Sequence, residues 1–264
     1  MPDNAETSDG KPSSMVPRPL PDFLTVTNTK MRLGMHGLRS WISSLLQESD
    51  RLAAVGLFVL GPYPALGQIG RLLAGSGLAY GAQNLWPDVP ECTGEVSAGL
   101  LAELGCAYVM VGHADRRRVF GEDDALIAAK AESAARAGLV PVLCVGESRP
   151  CSRPEVTHVV IAQIEPVLRQ LPPDAALAVM YEPAWTIGGD RAADPADVAA
   201  VFDAVTQQTA HRAGPTRLLY GGAVMPGVIT RLASTVRLDG IGLGRAAYDT
   251  DMRRRILNEV LEQR

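Results

Sequence analysis

The chain has 264 residues, of which 47% are hydrophobic and 20% are charged, as in a globular protein with a substantial core. This length accommodates one large α/β domain or two small ones. The formal net charge of −4 argues against a nucleic-acid-binding protein, and no apolar run is long enough to span a membrane.

Residues 1–21 are polar and rich in proline and serine, and they lack the apolar segment of a secretory signal. We therefore predict a mobile N-terminal extension ahead of a single domain that spans residues 22–264. The four cysteines lack the spacing of a zinc site or a disulfide framework, which favours reduced thiols in a cytoplasmic protein; they are Cys92, Cys106, Cys144 and Cys151. Cys144 lies inside an apolar run and is predicted to be a core residue.

Strand-like apolar runs recur along the chain, and a helical pattern follows each of them. The predicted strands span residues 23–29, 54–60, 78–83, 107–111, 139–145, 176–181, 217–220 and 240–243. The helices predicted to follow them span residues 38–47, 65–73, 96–104, 124–137, 155–170, 195–212, 227–233 and 250–261. The strand runs are nearly continuous in Val, Leu and Ala, as expected for parallel strands that are buried on both faces.

Eight such units in a chain of this length predict a single-domain α/β fold, the closed (β/α)8 TIM barrel. The alternative is an open, doubly wound sheet. That fold more often carries a glycine-rich phosphate-binding sequence after its first strand, and residues 28–31 (Asn-Thr-Lys-Met) do not form one. We therefore favour the barrel, in which the chemistry lies at the carboxyl ends of the strands.

The carboxyl ends of the predicted strands carry polar and glycine residues that would converge on one mouth. They are Asn28 and Lys30, Gln83 and Asn84, His113, Gly146 and Glu147, Glu182, Gly221 and Gly222, and Gly244 and Arg245. Glu182 ends a buried strand and precedes a segment that we call the lid loop, residues 183–193. A carboxylate in this place is predicted to be a general base under a mobile loop, although the segment alone is also typical of a surface turn.

Two further residues at this mouth have side chains suited to carbonyl chemistry. Most lysines are solvated, but Lys30 at the mouth would place a fixed positive charge near an anionic substrate and a developing enediolate oxygen. His113 opens a helical segment, where the positive end of the helix dipole lowers the pKa of the imidazole and keeps it neutral. A neutral imidazole can donate a hydrogen bond to a carbonyl and move a proton between adjacent oxygens.

Glycine-containing segments end the last two predicted strands and precede helices, at residues 221–223 (Gly-Gly-Ala) and 242–245 (Gly-Leu-Gly-Arg). Glycine lets backbone N–H groups approach a phosphate closely, and the helix that begins there favours an anion. Barrels often bind phosphate in the loops after the seventh and eighth strands. The pair of turns therefore predicts a phosphate site.

These motifs resemble, in the same order, those of the triosephosphate isomerase family, from about residue 27 to residue 261. The matching motifs are Asn28-x-Lys30-Met31, Gly81-Ala82-Gln83-Asn84, Thr93-Gly94-Glu95, Gly112-His113-x-x-Arg116-Arg117-x-Val119-Phe120-Gly121-Glu122, Cys144-Val145-Gly146-Glu147, Tyr181-Glu182-Pro183-x-Trp185-x-Ile187-Gly188 and Tyr220-Gly221-Gly222. The resemblance implies that Lys30 is the electrostatic lysine, His113 the electrophile and Glu182 the base. It also implies a substrate-binding set made of Asn28, which would position Lys30 and His113, and of Gly188, Ala223, Gly244 and Arg245, which would bind phosphate.

The resemblance has consequences for partners as well. Thr93 lies in a loop that reaches into a partner subunit in the family, which implies a homodimer. No metal or organic cofactor is implied, because proton transfer alone accomplishes the isomerisation. The expected ligand is a small phosphorylated sugar as substrate. Binding to a nucleic acid or to a membrane is not expected.

The chain departs from the family's motifs around the expected substrate. Thr29 stands where tryptophan is usual, Ala114 and Asp115 replace Ser and Glu, Ala223 replaces Ser, and Arg245 replaces Gly. One alternative is a divergent triosephosphate isomerase of glycolysis and gluconeogenesis. A second is a paralogue of erythritol catabolism that interconverts L-erythrulose 1-phosphate and D-erythrulose 4-phosphate. A third, a barrel that only binds a phosphorylated metabolite, is disfavoured because a binder needs no carbon base.

Overall fold

The computed structural model describes residues 19–88 and 90–264. Eight parallel strands form a closed barrel in chain order. They are β1 (Leu24–Asn28), β2 (Leu57–Gly61), β3 (Ala79–Ala82), β4 (Tyr108–Val111), β5 (Val140–Val145), β6 (Leu177–Tyr181), β7 (Thr216–Tyr220) and β8 (Gly240–Leu243). The barrel closes where β1 pairs with β8, with Leu24 opposite Gly240. The predicted (β/α)8 barrel is confirmed.

Ten α-helices lie in the described part of the chain. They are α1 (Met35–Leu46), α2 (Ser49–Ala54), α3 (Leu66–Leu73), α4 (Ala98–Glu103), α5 (Ala114–Phe120), α6 (Asp124–Arg136), α7 (Arg153–Gln170), α8 (Pro195–Thr209), α9 (Val228–Ala233) and α10 (Thr250–Glu262). Each predicted helix corresponds to one of them, within a few residues at its ends. None of the described helices combines the length and apolar composition that crossing a membrane requires.

The prediction for residues 54–60 was wrong at its beginning. Ala54 is the last residue of the unpredicted helix α2, and β2 begins only at Leu57. Helix α2 buries Leu52, so the apolar run divides between a helix and a strand. Gly56 separates them with φ +60°, where a Cβ would overlap the carbonyl oxygen of Phe23.

The starts of the longer helices follow from capping side chains. Asp123 and Asp194 accept hydrogen bonds from backbone N–H groups of the first turns of α6 and α8, and Asp249 does the same for α10. Ser152 and Glu155 form a capping box at the start of α7. These side chains satisfy N–H groups that have no partner within the helix, and they fix where each helix meets its strand.

The core has two layers, because the side chains of a strand alternate between the barrel interior and the surrounding helices. Val26, Phe58, Cys144 and other buried side chains fill the interior. The ring of Phe58 stacks on that of Tyr108 with centroids 4.0 Å apart. Cys144 is 2% exposed, which confirms it as a core residue, and all four cysteines are free thiols.

The segment that enters β1 is tied to the amino-terminal end of the barrel. Leu20 packs against the interior cluster. The Arg217 side chain donates hydrogen bonds to the carbonyl oxygen of Pro21, at 2.8 Å, and to Oδ1 of Asp22, at 2.9 Å. The guanidinium of Arg264 lies 5.7 Å from the ring centroid of Phe23. Residues 1–18 of the predicted extension lie outside the described residues.

Candidate active site

A pocket lies at the carboxyl ends of the strands. It is lined by all eight residues predicted for the site, namely Asn28, Lys30, His113, Glu182, Gly188, Ala223, Gly244 and Arg245. Its walls also include Met110, Met180 and Met225, which were not predicted. Two of these methionines are inward-facing strand residues, and an apolar residue within a strand carries no signal that distinguishes a pocket wall from the core. The fold therefore brings the predicted residues together.

The backbone of Lys30, just after β1, is fixed by hydrogen bonds to two side chains. Its N–H donates to Oδ1 of Asn28, at 2.7 Å, and its carbonyl oxygen accepts from Nε2 of Gln83, at 3.0 Å. Lys30 has φ 47° and Ala223 has φ 40°, a left-handed backbone conformation that residues other than glycine rarely adopt. Both residues line the pocket, in keeping with the concentration of backbone strain at functional sites.

The side chain of Asn28 contacts Lys30 and Met110, and not His113 as the resemblance implied. Its Nδ2 lies 3.2 Å from Sδ of Met110, a neighbouring wall residue, rather than against His113. The implied positioning of Lys30 by Asn28 is thus visible as a direct hydrogen bond. No hydrogen bond joins Asn28 to His113 in the described part of the chain.

His113 caps the first turn of α5. Its Nδ1 accepts a hydrogen bond from the backbone N–H of Asp115, at 3.0 Å, so the proton of the neutral ring resides on Nε2. Burial and then the charge of Lys30 lower the pKa of His113, Asp115 opposes both, and the resulting pKa is about 4. The predicted direction is confirmed, and burial is the largest cause. The ring is neutral at physiological pH and presents an N–H donor.

Glu182 follows β6 directly, and its backbone N–H donates to the carbonyl oxygen of Val145, at 2.8 Å. Its Oε2 lies 3.5 Å from Nε2 of His113 and, within the described residues, has no hydrogen-bond partner. Burial raises the pKa of Glu182, the charge of Lys30 opposes this and that of Asp115 reinforces it, and the resulting pKa is about 7. A desolvated carboxylate with a pKa near neutrality is a competent general base.

The opposite side of the pocket is built from backbone turns. Gly188 has φ 77° in the lid loop, and Ala223 lies in the turn after β7. Gly244 precedes a short 3-10 turn, Arg245–Tyr248, which follows β8. The guanidinium of Arg245 adds a positive charge to this side. Turns of this kind, with a cation beside them, suit a phosphate group.

Comparison with known proteins agrees with this geometry. The family model for triosephosphate isomerase matches residues 23–260. The chain belongs to the triosephosphate isomerase family.

The relatives include proteins of two kinds, triosephosphate isomerases and an L-erythrulose-1-phosphate isomerase. A triosephosphate isomerase of Chloroflexus aurantiacus is 37% identical over 230 residues, which cover 84% of this chain and 90% of the relative. A triosephosphate isomerase of Dechloromonas aromatica is 42% identical over 198 residues, covering 72% and 80% respectively. An L-erythrulose-1-phosphate isomerase of Pectobacterium atrosepticum is 38% identical over 243 residues, covering 87% and 92%.

The lid loop is anchored at both ends by groups from the barrel. At its start, Nε1 of Trp185 donates to Oε1 of the buried Glu147, at 2.6 Å. At its end, the N–H of Ala193 donates to the hydroxyl of Tyr220, at 2.8 Å. Glu147 lies two residues after β5 within a family motif, but its anchoring role was not predicted, because the sequence does not indicate which side chain such a carboxylate contacts.

Two departures from the family's motifs bear on the catalytic candidates. Asp115 accepts a hydrogen bond from Nζ of Lys30, at 2.9 Å, and its Oδ2 lies 3.6 Å from Nδ1 of His113. Burial raises the pKa of Asp115, but the hydrogen bond from Lys30 and the neighbouring charges outweigh burial and lower the pKa below its ordinary value. Ala114 carries no hydroxyl that could serve as a partner for the unpaired oxygen of Glu182.

Among the described residues, no three His, Cys, Asp or Glu side chains are grouped to hold a metal ion.

Proposed function

We propose that the chain interconverts glyceraldehyde 3-phosphate and dihydroxyacetone phosphate by proton transfer through an enediolate. The observation that carries this proposal is the contact of 3.5 Å between Glu182 and His113, whose pKa values of about 7 and about 4 have moved in opposite directions. One group is thereby suited to accept a proton from carbon. The other remains a neutral hydrogen-bond donor.

The reaction needs a base on one side of the substrate carbon and donors on its oxygens. Glu182 removes the proton from the carbon next to the carbonyl. The Nε2–H of His113 polarises the carbonyl and then moves a proton between the two oxygens of the enediolate. Lys30 stabilises the negative charge that develops there, and Glu182 returns its proton to the adjacent carbon.

The turns on the other side of the pocket would hold the phosphate. Gly188, Ala223, Gly244 and Arg245 surround the space where a phosphate would lie once the reacting carbons reach Glu182. The lid loop would close over this group and exclude water from the enediolate, which otherwise loses phosphate. Binding energy from the unreactive phosphate would then orient the reactive carbons.

The test is a comparison of kcat/KM on the purified chain for two substrates, glyceraldehyde 3-phosphate and L-erythrulose 1-phosphate. We expect the triose phosphate to be turned over, and Glu182→Gln to abolish turnover while phosphate still binds. Glu165→Gln, at a side chain that is 51% exposed on α7, is the matched control and should keep full activity. Unchanged turnover in Glu182→Gln would refute the mechanism.

The four-carbon substrate is the second candidate. It is favoured by the L-erythrulose-1-phosphate isomerase among the relatives and by the smaller side chains at Ala114 and Ala223. Replacing the aldehyde hydrogen of the triose phosphate by a hydroxymethyl group gives D-erythrulose 4-phosphate, on which the same base could act. A preference of a hundredfold or more for the tetrulose phosphate would reassign the chain to this reaction.

We also propose that the chain acts as a homodimer in the cytoplasm, as part of glycolysis and gluconeogenesis. Thr93 is exposed in the loop between β3 and α4, as an inserted loop must be in an isolated subunit. Val119 and Phe120 are each 64% exposed, which is unusual for large apolar side chains and typical of an interface. Sedimentation of the wild type and of Thr93→Arg tests this, since the variant should shift from dimer to monomer.

A further inference from the structure

Arg245 joins the lid loop to the turn after β8. Its Nη2 donates hydrogen bonds to the carbonyl oxygen of Gly189, at 2.9 Å, and to Oδ1 of Asp190, at 2.6 Å. Gly189 and Arg245 both line the pocket, so the contact lies at its mouth. Arg245 stands where the triosephosphate isomerase motif has glycine, so the contact depends on this substitution.

The other anchors of the lid loop lie near its ends, at Trp185 and Ala193. Within the described residues, Arg245 supplies the only hydrogen bonds from outside the loop to residues 187–192. An exposed ion pair such as Arg245–Asp190, with side chains 47% and 83% exposed, is weak. Weakness suits a contact that must break and re-form whenever a substrate enters or leaves.

The guanidinium of Arg245 retains donors for a second anion. Arginine has five N–H donors in a planar fork, and the lid loop uses only those of Nη2. In the described part of the chain, Nε and Nη1 have no hydrogen-bond partner. The fork geometry matches carboxylate and phosphate oxygens, so one side chain can contact both at once.

We propose that Arg245 binds the substrate phosphate and at the same time latches the lid loop through Gly189 and Asp190. The inference rests on the proposed function, which places the phosphate among Gly188, Ala223, Gly244 and Arg245. A bound phosphate would fix the guanidinium, and the fixed guanidinium would hold the loop. Phosphate binding and loop closure would therefore share one cation.

The latch would matter most while the enediolate is bound. In an open site, the enediolate oxyanion becomes a carbonyl, the carbon–carbon double bond moves toward the carbon that bears the phosphate, and phosphate leaves with the electron pair of the broken C–O bond. The remaining enol takes a proton on carbon and becomes 2-oxopropanal. Inorganic phosphate released per isomerisation thus reports how often the loop opens too early.

The experiment uses the full chain with two variants of the latch, Asp190→Asn and Arg245→Ala. The matched control is Asp197→Asn, which removes an ion pair with Arg153 at 2.8 Å, outside the pocket. Hydrogen–deuterium exchange of amides 187–191 should be about two- to fivefold faster in both latch variants, the range expected for one exposed ion pair, and unchanged in the control. Phosphate release per isomerisation should rise by a similar factor.

Inhibition by inorganic phosphate separates the two roles of Arg245. We expect Arg245→Ala to weaken it by about tenfold or more, the loss of a hydrogen bond to a charged group, whereas Asp190→Asn leaves it within about twofold. Wild-type exchange rates in Asp190→Asn would overturn the latch, and unchanged inhibition in Arg245→Ala would overturn the phosphate contact. If the wild type does not isomerise the triose phosphate but exchange still quickens in both variants, the proposed function falls and the latch stands.

Discussion

Replacing Glu182 with glutamine is expected to remove catalysis and stabilise the fold above neutral pH. The side chain is only 12% exposed, its Oε2 has no hydrogen-bond partner among the described residues, and its pKa is raised from 4.5 to about 7, chiefly by burial. Each pKa unit corresponds to about 1.4 kcal/mol, so ionised Glu182 costs the folded state on the order of 3 kcal/mol. Glutamine has nearly the same shape and never carries this charge.

The sign of the effect fixes its pH window. Because the folded pKa lies above the unfolded one, the stability that protonated Glu182 confers is complete below about pH 4.5 and is lost as the pH rises through about 7. The advantage of Glu182→Gln should therefore grow between these values and stay constant above them. The kcat/KM of the wild type should fall tenfold per unit below about pH 7, since only the carboxylate accepts a proton.

The measurement is urea unfolding of both proteins between pH 5 and pH 8.5 at one protein concentration, with Glu165→Gln as the control for an exposed carboxyl group. The pKa of His113 is about 4 in the folded state and 6.5 as its ordinary value, so its titration changes the stability of both proteins between these pH values and cancels in their difference. A difference in unfolding free energy that does not change with pH, or a glutamine variant less stable than the wild type at pH 8, would refute the reasoning.

Three further substitutions test the pocket and the lid loop. Lys30→Met should lower kcat/KM by about 10³-fold with an unchanged circular dichroism spectrum, because one preorganised charge at the enediolate is lost. Gly222→Ala would place a Cβ 2.7 Å from Oγ1 of Thr186, so kcat/KM should fall by about tenfold or more and the unfolding free energy by about 1–3 kcal/mol. Tyr220→Phe leaves the buried N–H of Ala193 unpaired and should cost about 1–3 kcal/mol in urea unfolding. Wild-type values in any of these assays would contradict the corresponding contact.

Much of the architecture was predictable, because a buried parallel strand has a strong local pattern. The run at residues 176–181 is apolar on both faces, and it became β6 with Glu182 at its end. The exception is Ala54, which the apolar run assigned to a strand and the structure places at the end of α2. Leu52 explains the difference, since its burial between helix and barrel stabilises α2, and a tertiary contact is not visible in local sequence.

The grouping of the predicted residues around one pocket could be predicted from the sequence, but the contacts between them could not. Strand ends placed Lys30, His113 and Glu182 at one mouth, since parallel strands share a carboxyl edge. The pairing of Lys30 with Asp115 depends on how far α5 is turned toward β1, which no single segment encodes. The lowered pKa of His113 was predicted from the helix terminus alone, whereas burial, which depends on the whole fold, is its main cause.

The closed barrel has no intrinsic first strand, which has a practical consequence for rearranging its sequence. Phe23, at the entry to β1, lies close enough to Arg264 for the guanidinium to rest 5.7 Å from its ring. A short linker could therefore join residue 264 to residue 19, with new termini opened in an exposed loop far from the pocket. Such a circular permutant would keep β1, β4 and β6 at the same places around the barrel, so the relative positions of Lys30, His113 and Glu182 depend on the closed ring and not on the order of synthesis.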